Sequence, residues 1–307
     1  MWSRGLNCGK NLLTSDKLSV VPHILVMTAT PIPRTLSMTL YGDLDLSVID
    51  ELPPGRTPIV TKHFYESRRG EVFAFMRGQI KLGRQVFVVY PLIKESEKMD
   101  YENLEIGYQR ILEEFPYPVY KTAVVHGKQK SEDKEYGMNV FANGGAQILV
   151  STSVIEVGVD VPNASVMVIE SAERFGLSQL HQLRGRVGRG SKDSYCILMT
   201  GVKLSKESKK RIDLMCSTTD GFLLAEEDMK MRGPGDIEGT NQSGLSMSLN
   251  ISSLYKDGVI LDEARRWASQ ILEDDPSLQF GVNQILSKQL LILKKGGKDF
   301  KDYSIVS

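Results

Sequence analysis

Gln182, Arg186 and Arg189 stand at the spacing Q-x-x-G-R-x-x-R inside His181-Gln182-Leu183-Arg184-Gly185-Arg186-Val187-Gly188-Arg189-Gly190. On a helix these three positions are i, i+4 and i+7 and share one face. Leu180, Leu183 and Val187 fall on a different face, suited to packing on a sheet. The pattern therefore predicts a helix that buries one side and aims two guanidiniums from the other. Guanidinium is planar, permanently charged and matched to phosphate oxygens. Two arginines aimed at one point fit a triphosphate in a cleft, with the arginines as fingers on it. The other half of such a site is a phosphate-binding loop, and no G-x-x-x-x-G-K-[ST] occurs in the 307 residues. On the same wheel Arg184 reads as a solvated surface charge.

A second segment lies upstream. Ser151-Thr152-Ser153-Val154-Ile155-Glu156-Val157-Gly158-Val159-Asp160-Val161-Pro162 directly follows an apolar run that reads as a strand. In open α/β sheets ligands sit beyond the carboxyl ends of strands. Ser151 and Thr152 can donate to a phosphate, Gly158 permits close backbone approach, and Asp160 can accept from a ribose hydroxyl. Alone this is an ordinary exit from a strand; followed about twenty residues later by the two-arginine segment it becomes specific. Gly233-x-Gly235-x-x-x-Gly239 imitates a dinucleotide fingerprint, but it follows the charged run Glu226-Glu227-Asp228-Met229-Lys230 and not a strand, which rejects that reading. Arg232 has a plain reading as a helix-end cation. Thr28 and Thr30 read equally as strand residues with satisfied hydroxyls.

The elements that must carry these residues alternate between short β-rich runs and helical patterns, the signature of a parallel α/β sheet. Strands are expected at 23–27, 46–50, 57–64, 85–90, 119–125, 148–151, 166–169 and 195–199. Helices are expected at 33–41, 67–82, 101–115 and 131–142, the last with a Ser131 cap, and residues 94–99 as a charged loop. Beyond Thr200 the texture turns helical, at 204–216, 221–231, 259–272 and 284–293, with a Gly-rich stretch from Arg232 to Gly239. The stiff Leu52-Pro53-Pro54-Gly55-Arg56 is a credible boundary. The expected division is 1–56, 57–203 and 204–307.

Composition narrows the class. Lys and Arg number 38 against 38 Asp and Glu, so no global positive field draws the chain to nucleic acid, and DNA contacts must come from local placement. The 3 cysteines are far apart, with no metal-ligand spacing and no disulfide framework, which fits a reducing cytoplasm. The 4 histidines form no H-E-x-x-H, and no metal site is expected. No apolar run approaches membrane-spanning length.

Thr28-Ala29-Thr30, the Ser151–Pro162 segment and Gln182–Arg189 together resemble three consecutive motifs of superfamily 2 helicases and translocases. The resemblance implies a RecA-like parallel sheet flanked by helices, the second helicase lobe, with the tail of the first lobe before it and a C-terminal helical hairpin region after it. Met27-Thr28-Ala29-Thr30-Pro31-Ile32-Pro33-Arg34-Thr35-Leu36 is similar to RecG branch-migration helicases and to the transcription-repair coupling translocase. Leu40 to Arg56, and Arg232-Gly233-Pro234-Gly235-Asp236 with Gly239-Thr240 and Gln242-Ser243-Gly244, resemble the RecG family. The likeness runs over roughly residues 20 to 300.

What it implies is specific. Gln182, Arg186 and Arg189 match the triphosphate-facing residues; Gly158 and Asp160 match nucleotide contacts of the second lobe. Thr28 and Thr30 match the motif that links hydrolysis to lobe movement, Thr152 a DNA-backbone contact, and Arg232, Gly235, Asp236 and Gln242 the translocation motif. The implied activity is ATP-dependent remodelling of branched DNA, such as stalled forks and four-way junctions, with ATP and Mg2+ as cofactors. The implied partners are branched duplex DNA, an upstream helicase lobe with a wedge-like DNA module, and a single-stranded-DNA-binding protein. Without a phosphate-binding loop or acidic box, the chain alone is expected to be folded but silent. The rival readings are the coupling translocase and a non-catalytic binding module. Residues 1 to about 20 do not read like the interior of a first lobe, so a truncation or an alternative start is expected there.

Overall fold

The computed structural model describes residues 25, 27, 47–49, 51, 57–91, 97–152, 161–190, 193–238 and 258–295. Its centre is one six-stranded sheet: β1 (Val60–Tyr65), β2 (Gln85–Tyr90), β3 (Thr122–Val125), β4 (Ile148–Thr152), β5 (Ala164–Ile169) and β6 (Tyr195–Thr200). The order is β1-β6-β5-β2-β4-β3 and every pairing is parallel. β2, β4 and β5 are buried along their whole length, which is why they read as continuous apolar runs and not as alternation.

Alternate side chains feed two cores. Val86, Val88, Ile148, Val150, Val166 and Val168 meet Val72 and Met76 of α1 (Arg69–Lys81) and Leu104 and Ile111 of α2 (Glu97–Glu114). Phe87, Val89, Leu149, Met167, Ile169 and Leu198 face the other way, toward α3 (Ser131–Ala142), α4 (Leu177–Arg184) and α5 (Lys206–Ser217). Fully burying one such Leu, Ile or Phe contributes about 1.5–3 kcal/mol. The α/β lobe covered on both faces is the one the sequence predicts.

Several boundaries differ for local reasons. β1 starts at Val60, where its amide bonds the Ser194 carbonyl and pairing with β6 begins. β3 is only four residues, because Tyr120 N–H bonds back to Pro116 and Val119 stays exposed. The charged stretch expected as a loop over 94–99 is helical from Glu97 onward. Ser131 is not a cap: Lys130 holds the N-cap position of α3 and makes no side-chain cap bond. Ser47 to Ile49, expected in a strand, carry no strand assignment; the predicted 23–27 strand and 33–41 helix lie almost wholly outside the described residues.

After β6, Ser205 caps α5 by accepting from Ser208 N–H at 3.0 Å. The predicted break at 217–220 is present, and Asp220 Oδ1 accepts from Phe222 N–H at 2.8 Å to start α6 (Gly221–Glu238). The Gly-rich stretch expected to end this helix does not: its backbone stays helical through Arg232, Gly235 and Asp236. Gly and Pro234 cost about 1 and 3 kcal/mol in a helix interior. That penalty is outweighed in a helix already anchored by buried Leu224, Ala225, Asp228 and Met229.

The chain divides into two compact units, with α1–α6 and the sheet in one and α7 (Gly258–Asp274) and α8 (Gln284–Lys295) in the other. Beyond residue 203, α5 packs on β1 and α4, and α6 on α4. In the second unit Asp275 closes the turn after α7, accepting from Gln279 and Phe280 N–H at 2.8 and 2.7 Å and from Asn283 Nδ2 at 3.0 Å. No described helix is long and apolar enough to cross a membrane.

Candidate nucleotide and nucleic-acid site

The arginine segment is not one continuous helix. α4 ends at Arg184, and Gly185 occupies its C-cap. Arg186 N–H bonds Leu183 O at 3.0 Å and Val187 N–H bonds Arg184 O at 3.2 Å, a tighter turn than α-helix. Gly188 then takes φ 78°, a left-handed conformation that reverses the chain. Gln182 is therefore on the helix and exposed, Arg186 on the turn, and Arg189 beyond the reversal, both arginines half-buried. The expected shared helical face is replaced by a helix, a turn and a glycine, because two glycines in four residues end the helix.

Gly188 also packs closely. A Cβ there would stand 2.9 Å from Ile59 Cγ1, in a backbone conformation that other residues adopt at a cost of about 1–3 kcal/mol. Gly188→Ala should lower the thermal midpoint by several degrees; an unchanged midpoint would mean that this reversal is not under steric constraint.

Topology decides which groups meet. Ile59 and Ser194 directly precede β1 and β6, and a Cβ on Gly190 would stand 3.0 Å from the carbonyl oxygen of Pro162, which precedes β5. The arginine segment thus lies at the amino edge of the sheet, against the end of the Ser151–Pro162 segment. Val161 and Val187 are buried in one core cluster there. The structure brings those two sequence-predicted segments together. Gly158 and Asp160 themselves, with Thr28, Thr30 and Gln242, lie outside the described residues. Arg232, Gly235 and Asp236 are described by backbone alone, on α6.

Thr152 is elsewhere. It ends β4 at the carboxyl edge, in register with Tyr90 of β2, one strand length from the arginines. A five-residue strand separates the edges by roughly 16 Å. Ser151 and Thr152 therefore stand at the edge opposite Arg186 and Arg189 and are not brought together with them. Both hydroxyls are buried and without a hydrogen-bond partner among the described residues.

Two buried charges escaped the sequence reading. Arg184, expected on the surface, is 2 % exposed. Its Nη1 donates to the carbonyls of Met215 and Thr218 at 3.0 and 2.8 Å, and Nη2 donates to Thr219 O at 3.3 Å. Nη2 also lies 3.1 Å from His181 Nδ1. Burial, reinforced by the Arg184 charge, lowers the His181 pKa, so a neutral imidazole accepts from the guanidinium. Arg184 follows Leu177 and Leu180 at i+7 and i+4, a stripe that marks it as inward-facing. The second is Glu170, at the end of β5, which Arg69 grips with both guanidinium nitrogens, Nη2 at 2.9 Å from Oε2. The pair holds the start of the β5–α4 connection, where Ser171 takes φ 48°. Buried charges persist only when paired in this way.

Among the described residues no group of three or more His, Cys, Asp or Glu is placed to hold a metal ion. What the amino edge offers is cationic: Arg186 and Arg189 belong to the segment whose Gly190 meets the Pro162 carbonyl, an arrangement suited to a polyanion.

Residues 71–191 match the helicase conserved C-terminal domain, and residues 218–305 match the C-terminal part of domain 3 of ATP-dependent DNA helicase RecG. RecG of Aquifex aeolicus is 47% identical over 294 residues, 94% of this chain and 36% of that protein. RecG of Synechocystis is 50% identical over 258 residues, 84% of this chain and 31% of that protein. A RecG structure bound to a three-way DNA junction superposes with a TM-score of 0.61 at 46% identity, covering 78% of this chain and 30% of that one. The chain thus spans about a third of the length of these relatives. The two-arginine lobe, the helices after it and this similarity along nearly the whole sequence place the chain in the RecG family of ATP-dependent DNA helicases.

Proposed function

We propose that the protein carrying this chain is an ATP-dependent DNA helicase that remodels branched duplex DNA in recombination and repair, and that the chain supplies its second RecA-like lobe and translocation region. The observation that carries this reading is the 47% identity over 94% of the chain, which includes the arginine pair and the α5–α6 region. The RecG structure solved on a three-way junction supports branched DNA as the substrate. In this reading residues 1–56 end the first lobe, 57–203 form the second, and 204–307 form the translocation region.

ATP with Mg2+ supplies the phosphoanhydride bond that water cleaves at the γ-phosphate. Arg186 and Arg189 would take up the negative charge that develops there, and Gln182 would orient the γ-phosphate region. Gly158 and Asp160 would contact the nucleotide. Thr28 and Thr30 would relay its state to the lobes, Thr152 would meet the DNA backbone, and Arg232, Gly235, Asp236 and Gln242 would move the duplex. An upstream lobe must bring the phosphate-binding loop, the acidic box and, through it, most magnesium ligands; a wedge-like module and a single-stranded-DNA-binding protein are the further partners. The setting is cytoplasmic.

The test is ATP turnover by the protein that includes the upstream lobe, on a three- or four-way junction and on linear duplex of equal length. Stronger stimulation by the junction is expected. Equal stimulation would favour a duplex translocase of the transcription-coupling kind and overturn the branched-DNA assignment.

A further inference from the structure

The carboxyl edge of the sheet carries a charge pattern that none of the assigned motifs uses. β6 ends there at Thr200, and the chain passes through Lys203 into the first turns of α5, with Lys206, Lys209 and Lys210. Positions 206, 209 and 210 are i, i+3 and i+4, so their side chains share the outward face of the helix. All four lysines are exposed, while Ser208, Ile212 and Met215 face the core. Arg211 also turns inward and is occupied by the carbonyls of Phe175 and Glu173. Lys210 pairs with Glu227 at 3.2 Å. Lys203, Lys206 and Lys209 make no ion pair with a described residue. The carboxylates nearby on α5 are Glu207, a quarter-turn away, and Asp213, one turn further from the edge.

This placement is unfavourable for the helix itself. The amino end of a helix carries partial positive charge, and cations belong at its other end. α5 has no basic residue in its last turn and gathers its lysines in the first two. In a chain of zero formal net charge, such a local excess is a surface for a polyanion and not a by-product of overall basicity. It lies at the same edge of the lobe as Thr152, opposite the edge that holds Arg186 and Arg189.

We infer that the Lys203–Lys206–Lys209 face of α5 binds the phosphate backbone of duplex DNA, alongside the Thr152 edge and apart from the nucleotide edge. The inference rests on the helicase reading for the identity of its polyanion. Duplex DNA presents a charge about every 1.7 Å along its axis, so a stripe of lysines needs no base contact to dock, and its contribution is independent of sequence.

The experiment uses the 307-residue chain as it stands and a fluorescently labelled three-way junction, with affinity read by anisotropy across a NaCl series. Lys206→Gln with Lys209→Gln is compared with Lys81→Gln with Lys121→Gln, exposed lysines near the amino edge. Each lost phosphate contact should flatten the slope of log K against log[NaCl] by about 0.9, so the α5 pair should flatten it by about 1.8. Between about 50 and 200 mM salt the α5 variant should then lose roughly 12-fold less affinity than the wild type, while the amino-edge variant follows the wild type. Equal slopes for all three proteins would overturn the inference and leave the helicase reading standing. So would equal flattening in both variants, or no salt-dependent binding by the wild type, because junction-stimulated ATP turnover tests that reading separately.

Discussion

Arg189→Ala is expected to lower ATP turnover by about 10³–10⁵-fold in the protein that carries both lobes, the range for removal of an arginine finger. Arg189 sits between the left-handed Gly188 and Gly190, which packs on the Pro162 carbonyl, so its position is set by a steric reversal and not by helix register. The substitution leaves Gly188, Val187 and Gly190 in place, and those residues make the packing of this edge. Binding of a DNA junction should therefore stay largely intact, since the edge proposed for DNA is a strand length away. Arg189→Lys keeps a charge but not the planar fork, and should recover only part of the loss. Turnover of Arg189→Ala within a few-fold of wild type would sink the assignment of this segment to the triphosphate.

Arg184→Met is expected to destabilise the lobe by about 3 kcal/mol or more. Methionine restores much of the volume but donates nothing. It strands the carbonyls of Met215, Thr218 and Thr219 at the α5–α6 junction and leaves His181 Nδ1 without its donor. For a lobe of 150–250 residues that corresponds to a fall in thermal midpoint of about 6–12 °C. The same variant removes the tie between the end of α4, which leads into Arg186 and Arg189, and the turn that starts α6, which runs through Arg232 and Asp236. A midpoint equal to wild type would mean that Arg184 is solvated in solution, as its formal charge alone would lead one to expect.

That contrast shows where sequence reading stops. A guanidinium flanked by Gln182 and Arg186 reads as a third surface cation, and only the neighbourhood of Thr218 and Thr219, more than thirty residues on, makes it a buried tie. Glu170 is the same case, since its partner Arg69 is 101 residues away. Helical spacing places Gln182, Arg186 and Arg189 on one helix, whereas the helix ends at Arg184 and Gly188 reverses the chain before Arg189. Spacing is a local property, but Gly188 reverses the chain where a side chain would collide with Ile59, from before β1.

By itself the sequence determined the six strands of the lobe, its doubly covered parallel sheet and the arginine–glycine segment proposed for phosphate. Each of these depends on residue type and period over a few positions: continuous Val, Ile and Leu in β2, β4 and β5, helical spacing in α1 and α3, and paired arginines among glycines. Tertiary structure alone decided that Pro162 meets Gly190 at one edge while Thr152 and the α5 lysines lie at the other, and that α6 continues through its Gly-rich stretch. The physical reason is that edges and burial are properties of pairs of segments distant in the chain. The parallel topology, which returns every connection to the far side of the sheet, settles which pairs those are.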